Sequence, residues 1–222
     1  MDLNILSVIW SPTRTLQEVA QSRNVLAGAI VTLIYAILGI VVSVIIVLGG
    51  MMDEQFQQPG INLPPDTLEN FILATEIGII LSAAFSPFLW WVAVSLLMQL
   101  TTSFFGGSGP LKAMFAVVGV AMAPLAISSF FRILLNATQA ALGFETVAAG
   151  AVQLLSTVLA LGFWLWCVVL MVIGASKARG VGYGQSSGSC AISCAGCATL
   201  IIVVGMILGI VVGAVVGASM PQ

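Results

Sequence analysis

Glu76 and Arg132 are ionisable residues that lie well inside apolar stretches of the chain, and Gln153 has a similar predicted depth. A charged side chain at the centre of a bilayer costs about 2.5–3.5 kcal/mol, so pairing would lower the cost of both charges. We therefore predict an intramembrane polar cluster of Glu76, Arg132 and Gln153. The cluster would act as a substrate or proton site, or it would fix helix packing, or its side chains would reach separately to water.

Cysteines form a second group of residues with chemical potential. Cys190, Cys194 and Cys197 follow the spacing C-x3-C-x2-C and lie on one face of a predicted helix. With Cys167, which has a similar predicted depth, they would supply four thiolates to a metal ion or an iron–sulfur cluster. Cysteine also packs as a small apolar side chain, and Cys190 lies near enough to the membrane surface for lipidation. We expect the packing role, and so we predict no metal site and no cofactor.

The segment Gly106–Lys112, Gly-Gly-Ser-Gly-Pro-Leu-Lys, has some features of a phosphate-binding loop. The pattern fails, because Leu111 replaces the required glycine and Ala113 replaces the Ser or Thr that would hold magnesium. A tight turn followed by a proline-led helix start explains the segment better. The chain also has no histidine, the commonest general base. We predict no catalytic residues and no enzymatic activity.

The composition indicates that these residues are positioned by helices within a membrane. Of the 222 residues, 60% are apolar and 6% are charged, whereas a soluble domain carries about 25% charged residues. A helix needs about 20 apolar residues to cross a bilayer, and five stretches are that long. Pro87 and Pro124 should kink the second and third spans. We predict an all-α, polytopic membrane bundle over 24–217, with spans at about 24–48, 71–100, 112–135, 146–175 and 190–217.

The charges between the spans indicate the orientation of the bundle. Five of the six basic residues fall in segments that share one side, namely Arg14, Arg23, Lys112, Lys177 and Arg179. Since cytoplasmic loops are rich in Lys and Arg, we place the N-terminal segment 1–23 in the cytoplasm and the short tail 218–222 outside. Four spans and a hairpin would be the alternative. The Gly/Ser-rich connection 180–189 is predicted to be flexible.

The N-terminal segment predicts an amphipathic helix. Ser11 would cap the helix and Pro12 would be its first residue. Leu16 and Val19 then lie on one apolar face. We expect this helix at the inner membrane surface, with Trp10 at headgroup depth. The alternative is a docking helix for a cytoplasmic partner.

The fifth predicted span carries a stripe of small residues, Gly205, Gly209, Gly213 and Gly217. Small residues at this spacing let two helix backbones approach closely in lipid. The stripe would pack inside the bundle, or it would mediate self-association or docking to another membrane protein. The net charge of −2, without a basic cluster, excludes nucleic acid as a partner.

The chain resembles the Yip family, the Ypt/Rab-interacting proteins, and in particular its bacterial branch. The resemblance is carried by Val8–Leu16, by the turn Gly106–Gly109 leading into Lys112, by Gly119, Ala123 and Pro124, and by the five-span layout. It implies a helical membrane protein without catalytic residues. Eukaryotic relatives bind small GTPases through a longer cytosolic N-terminal region. This chain has a short one and lacks the Asp-Leu-Tyr-Gly-Pro stretch, which argues against GTPase binding.

These observations predict a non-enzymatic membrane scaffold or accessory subunit in the bacterial cytoplasmic membrane. It would dock through its helices to other membrane proteins or to itself, with export or trafficking machinery as the candidate partners. The alternative is a small-solute transporter or channel component that uses Glu76 and Arg132, since intramembrane charges and broken helices mark transport pathways. An intramembrane enzyme ranks third.

Overall fold

The structure is a computed structural model, and it describes residues 7–49, 65–142 and 146–199 together with residue 206. Within these residues every regular element is a helix and no strand occurs. The helices are α1 (Ser7–Trp10), α2 (Pro12–Ser22), α3 (Val25–Leu48), α4 (Pro65–Phe104), α5 (Leu111–Ala121), α6 (Ala123–Leu142), α7 (Val147–Arg179) and α8 (183–199).

Four helical stretches in the described residues are long and apolar enough to cross a membrane. They are Val25–Leu48, Leu68–Phe104, Leu111–Leu142 and Val147–Arg179. The prediction of an all-α integral membrane protein is therefore confirmed. Of the fifth predicted span, residues 190–199 are helical as part of α8, and nearly all the rest lies outside the described residues. The count of five and the orientation of the termini stay predictions.

The third span, α5 followed by α6, forms the centre of the bundle. In its most apolar window 72% of the residues are buried, against 17% in the window of α4. Helices α3, α4 and α7 pack around α5, and α3 also packs between α4 and α6. The central side chains are small, with Ala116, Val117 and Val120 fully buried. Small side chains let the helices approach closely. This close packing stabilises the bundle in lipid, where the hydrophobic effect does not drive helices together.

Gly28 and Gly119 mark the closest crossing in the core. A Cβ on Gly119 would lie 2.5 Å from the Cα of Gly28 and 2.8 Å from Nε1 of Trp91. The indole nitrogen of Trp91 donates a 2.9 Å hydrogen bond to the carbonyl of Phe115. Helices α3, α4 and α5 are thus fixed at one level, where two glycines provide the space that the indole uses.

The two prolines act differently. Pro124 is the second residue of α6, and the central span is broken at Met122, between α5 and α6. Since proline lacks a backbone donor and favours the first turn of a helix, this break agrees with the predicted interruption of the third span. Pro87 lies inside α4, which continues on both sides of it. A kink at Pro87 stays a prediction.

Helix α2 lies against the bundle. Its apolar face, with Leu16, Val19 and Ala20 buried, packs on α5 and α7. That face is therefore occupied by the protein itself. The position of α2 at the inner membrane surface and its alternative role as a docking helix stay predictions. Pro12 begins the helix as predicted, with Ser11 at the capping position, but the Ser11 hydroxyl donates to the carbonyl of Ser7.

Trp10 is 85% exposed, at the end of α1 beside the start of α2. Its exposure leaves it free to lie at headgroup depth, as a tryptophan at a membrane surface does. The interfacial position of Trp10 stays a prediction.

Candidate functional site

The densest group of polar contacts in the described residues surrounds Arg179, the last residue of α7. The residue as a whole is 5% exposed. Nε donates to the Thr102 hydroxyl at 3.1 Å, and Nη2 donates to the Ser103 hydroxyl at 2.7 Å and to the Gly107 carbonyl at 2.5 Å. Nη1 donates to the carbonyl of Gly109. We call Arg179 with Thr102, Ser103, Gly107 and Gly109 the arginine clamp.

The clamp stabilises the positive charge of Arg179 with neutral oxygens and without a carboxylate. Among the residues that the structure describes, no acidic side chain pairs with Arg179. Carbonyl and hydroxyl oxygens provide the negative field instead, and each hydrogen bond to a charged group contributes about 1.5–3 kcal/mol. A guanidinium carries five donors in a rigid planar fork, so it reaches oxygens spread over a wider area than the three donors of a compact ammonium can.

The end of α7 places Arg179 beside the loop that connects α4 and α5. Gly180 adopts the left-handed conformation at φ 68°, and its backbone N–H donates to the carbonyl of Ser176 at 2.9 Å. This is a common way to end a helix, and it favours glycine. The positive charge of Arg179 also complements the negative end of the helix dipole.

Glycines bring the loop between α4 and α5 into contact with α7. A Cβ on Gly107 would lie 2.9 Å from the Thr102 carbonyl and 3.1 Å from the Cβ of Arg179. A Cβ on Gly109 would overlap the carbonyl oxygen of Ala178. The backbone N–H of Ser108 donates to the carbonyl of Arg179 at 3.2 Å. The glycine-rich turn therefore binds an arginine of its own chain.

Hydroxyl groups extend the polar network from the clamp into α8. The Thr101 hydroxyl is hydrogen-bonded to that of Ser189 and lies 3.3 Å from that of Ser193, while Ser186 donates to the Val172 carbonyl at 2.7 Å. The flexible connection predicted at 180–189 is therefore wrong. Helix α8 begins at residue 183, and three of its serines, Ser186, Ser189 and Ser193, are buried, where each reaches an oxygen on α4 or α7.

The three residues of the predicted intramembrane cluster lie on three different helices. Glu76 on α4 is partly exposed, and Arg132 on α6 and Gln153 on α7 are exposed. Helix α3 packs between α4 and α6. In the part of the chain that the structure describes, no hydrogen bond or ion pair joins any two of these residues. A cluster of the three side chains stays a prediction.

The cysteines do come together across α7 and α8. Cys190, Cys194, Cys167 and Cys197 lie close enough for their side chains to interact with one another electrostatically. All four are free thiols, and Cys167, Cys190 and Cys197 are buried. No group of His, Cys, Asp and Glu within the described residues is arranged to hold a metal ion. The arrangement fits the packing role.

The predicted helix-packing stripe lies outside the described residues. It consists of Gly205, Gly209, Gly213 and Gly217. The stripe stays a prediction.

Arg179 is the important residue that sequence reasoning missed, because its position between two predicted spans indicates only the orientation of the bundle. A signal was present in the three glycines within the four residues Gly106–Gly109, which are more than a single tight turn requires. A second signal was the isolated arginine directly before Gly180, at the end of a long apolar run. Neither signal shows that the glycine-rich turn and Arg179 contact each other.

A comparison with protein-family models finds that the Yip1 domain model matches residues 6–207. The matched range includes all clamp residues and the four helical stretches that could cross a membrane. No curated protein and no solved structure matches the chain.

Proposed function

The chain belongs to the Yip1 domain family, and from that premise we propose that it acts as a non-enzymatic integral membrane scaffold or accessory subunit. It docks by helix–helix contact to other membrane proteins or to a second copy of itself, in the bacterial cytoplasmic membrane. Export or trafficking machinery is the proposed kind of partner, and small GTPases are not.

The observation that carries this proposal is the contrast between a filled core and a long free face on α4. Leu73, Ile77, Leu81, Phe85 and Leu89 recur every four residues and are each at least 50% exposed. We call these five side chains the α4 ridge. Such i±4 ridges pack into the grooves of neighbouring helices.

The length of α4 supports the same proposal. The helix has 40 residues, which corresponds to about 60 Å, or roughly twice the thickness of the hydrocarbon core. It therefore offers more apolar surface than its own bundle uses. The clamp, at its C-terminal end, holds α4 firmly against α7 and leaves the ridge to face other helices.

Docking is also supported by the glycine stripe. Small residues at a spacing of four are typical of helices that associate in lipid. Gly205, Gly209, Gly213 and Gly217 have this spacing. We propose that the ridge and the stripe are the two faces through which the subunit binds its partners.

The test is recovery of a partner from gently solubilised membranes at native expression. We expect a tagged wild-type chain to retain another membrane protein or a second copy of itself. Gly209→Leu should lower the recovered partner about tenfold, which corresponds to about 1.4 kcal/mol of helix packing.

Gly162→Leu is the matched control, because nothing lies within 4 Å of a Cβ at Gly162. It should leave the recovery unchanged. A clean monomer from the wild-type chain, or equal losses in the two variants, would overturn the proposal.

A further inference from the structure

A groove of about 400 Å³ lies between α7 and α8 and is open on one side. Its walls are almost entirely apolar. Trp164, Val168 and Val172 line it from α7, while Ser187 and Ala191 line it from α8. Trp164 is 45% exposed. The groove therefore faces the surroundings of the bundle, which in a membrane is lipid.

One end of this groove carries a charge. On α7 the groove residues Val169 and Ile173 are followed after one more turn by Lys177, and on α8 Tyr183 precedes Ser187 by one turn. The ammonium nitrogen of Lys177 lies 5.8 Å from the centroid of the Tyr183 ring. The two side chains thus meet where the helices converge. Among the described residues no acidic side chain pairs with Lys177.

We propose that this groove binds an anionic phospholipid, with one acyl chain along the groove and the headgroup phosphate on Lys177 and Tyr183. The apolar walls match an acyl chain, and the ammonium matches a phosphate. Tyr183 is 50% exposed, so its hydroxyl is accessible to donate to the same phosphate. Basic pockets between transmembrane helices are typical of anionic headgroup sites.

The dimensions agree with a lipid from one leaflet. Lys177 and Trp164 are 13 residues apart on α7, which corresponds to about 20 Å along the helix. One leaflet contributes roughly 15 Å of hydrocarbon and about 5 Å or more of headgroup region. A lipid whose headgroup lies at Lys177 therefore has its chain beside Trp164. A polar ligand would find one hydroxyl, that of Ser187, inside the groove.

The test uses the purified full-length chain, titrated with phosphatidylglycerol or phosphatidylcholine and observed by native mass spectrometry. We expect phosphatidylglycerol to bind about fivefold more tightly, the factor for roughly one basic residue at a membrane surface. Lys177→Gln should abolish this preference, and Lys177→Arg should retain it. Lys112→Gln, at an exposed lysine on another helix, is the charge control and should leave the preference unchanged.

A second pair of variants tests the groove itself. Ala191→Phe fills it and should weaken the binding of both lipids, whereas Ala195→Phe, at an exposed position outside the lining, should have no effect. Equal binding of the two lipids to the wild-type chain would overturn the proposal. The same conclusion would follow if Lys177→Gln kept the preference, if Ala191→Phe bound both lipids normally, or if free palmitate bound as tightly as phosphatidylglycerol.

Discussion

Arg179 lies at the end of an apolar run and Arg132 lies inside one, and the two arginines have different surroundings in the structure. Arg179 is buried and donates to four oxygens on α4 and the following loop. Arg132 lies 21 residues beyond the start of α5 at Leu111, about 30 Å from the clamp end along the third span, and is exposed. A hydropathy scale assigns both arginines the same free-energy cost of transfer from water into the membrane. The two arginines differ in their hydrogen bonds. Backbone carbonyls accept hydrogen bonds from Arg179, and among the described residues none accepts one from Arg132.

The difference shows how a membrane bundle can fix one of its ends. At the clamp, glycines remove side chains so that loop carbonyls can approach a cation. Arg132 is exposed, and among the described residues no hydrogen bond or ion pair holds its guanidinium. We therefore expect the clamp end of the bundle to be rigid and the α4 ridge to be able to pack against different neighbouring helices.

Arg179→Ala should have the largest effect of the changes considered. It removes four hydrogen bonds. The half-buried carbonyl of Gly107 loses its side-chain donor, and that of Gly109 keeps only the Gln99 side chain. We expect a loss of about 4 kcal/mol in the free energy of unfolding. Chemical denaturation in detergent would measure it, and Arg179→Lys should recover only a small part, because an ammonium lacks the fork geometry.

Arg132→Ala is the matched control for the clamp. Since Arg132 is exposed and has no hydrogen bond among the described residues, its loss should cost less than about 0.5 kcal/mol. Equal destabilisation by the two substitutions would remove the distinction between the arginines.

Gly119→Ala should have the next largest effect. The added methyl group would lie 2.5 Å from the Cα of Gly28, so α3 and α5 must separate, at a cost of about 2–3 kcal/mol. Gly162→Ala places the same methyl group in open space on α7 and should stabilise the helix by about 0.5–1 kcal/mol. Thermal unfolding of both variants in one detergent would compare them, and a tolerated Gly119→Ala would contradict the close crossing.

The features that depend on short sequence separation were predictable. The helical class, the membrane environment and the family followed from apolar run lengths and short motifs. The interruption near Pro124 and the helix start at Pro12 followed from the backbone chemistry of proline.

The clamp was not predictable, because Gly109 and Arg179 are 70 residues apart. Their interaction depends on how α4, α5 and α7 are arranged in space. The beginning of α8 was missed for a related reason. Its glycines and serines favour a loop locally, and they become helical because Ser186 and Ser189 find hydrogen-bonding partners on other helices.

Ser189→Ala and Ser95→Ala test on a smaller scale whether hydrogen bonds between helices stabilise the buried serines. Both serines are completely buried. Ser189 is hydrogen-bonded to Thr101, whereas the Ser95 hydroxyl has no partner among the described residues. Ser189→Ala should cost about 1 kcal/mol, and Ser95→Ala should be neutral or slightly stabilising. A neutral Ser189→Ala together with a destabilising Ser95→Ala, measured by urea or SDS unfolding, would contradict the hydrogen-bond assignment.

The smallest effect concerns Glu76 and Arg132. A double-mutant cycle of Glu76→Gln and Arg132→Gln measures the energy that couples the two charges. Because α3 packs between their helices, we expect a coupling below about 0.3 kcal/mol. A coupling above about 1 kcal/mol would instead establish the polar cluster that the sequence predicts, and it would favour a transport pathway.

Amide hydrogen exchange of the loop between α4 and α5, in protein reconstituted in lipid nanodiscs, tests the central claim most directly. The N–H groups of Gly107 and Ser108 donate to the carbonyls of Thr102 and Arg179. We predict that both amides exchange at least about 100-fold more slowly than in an unstructured peptide, and that Arg179→Ala removes this protection. Exchange of both amides at unprotected rates in the wild-type chain would contradict the clamp.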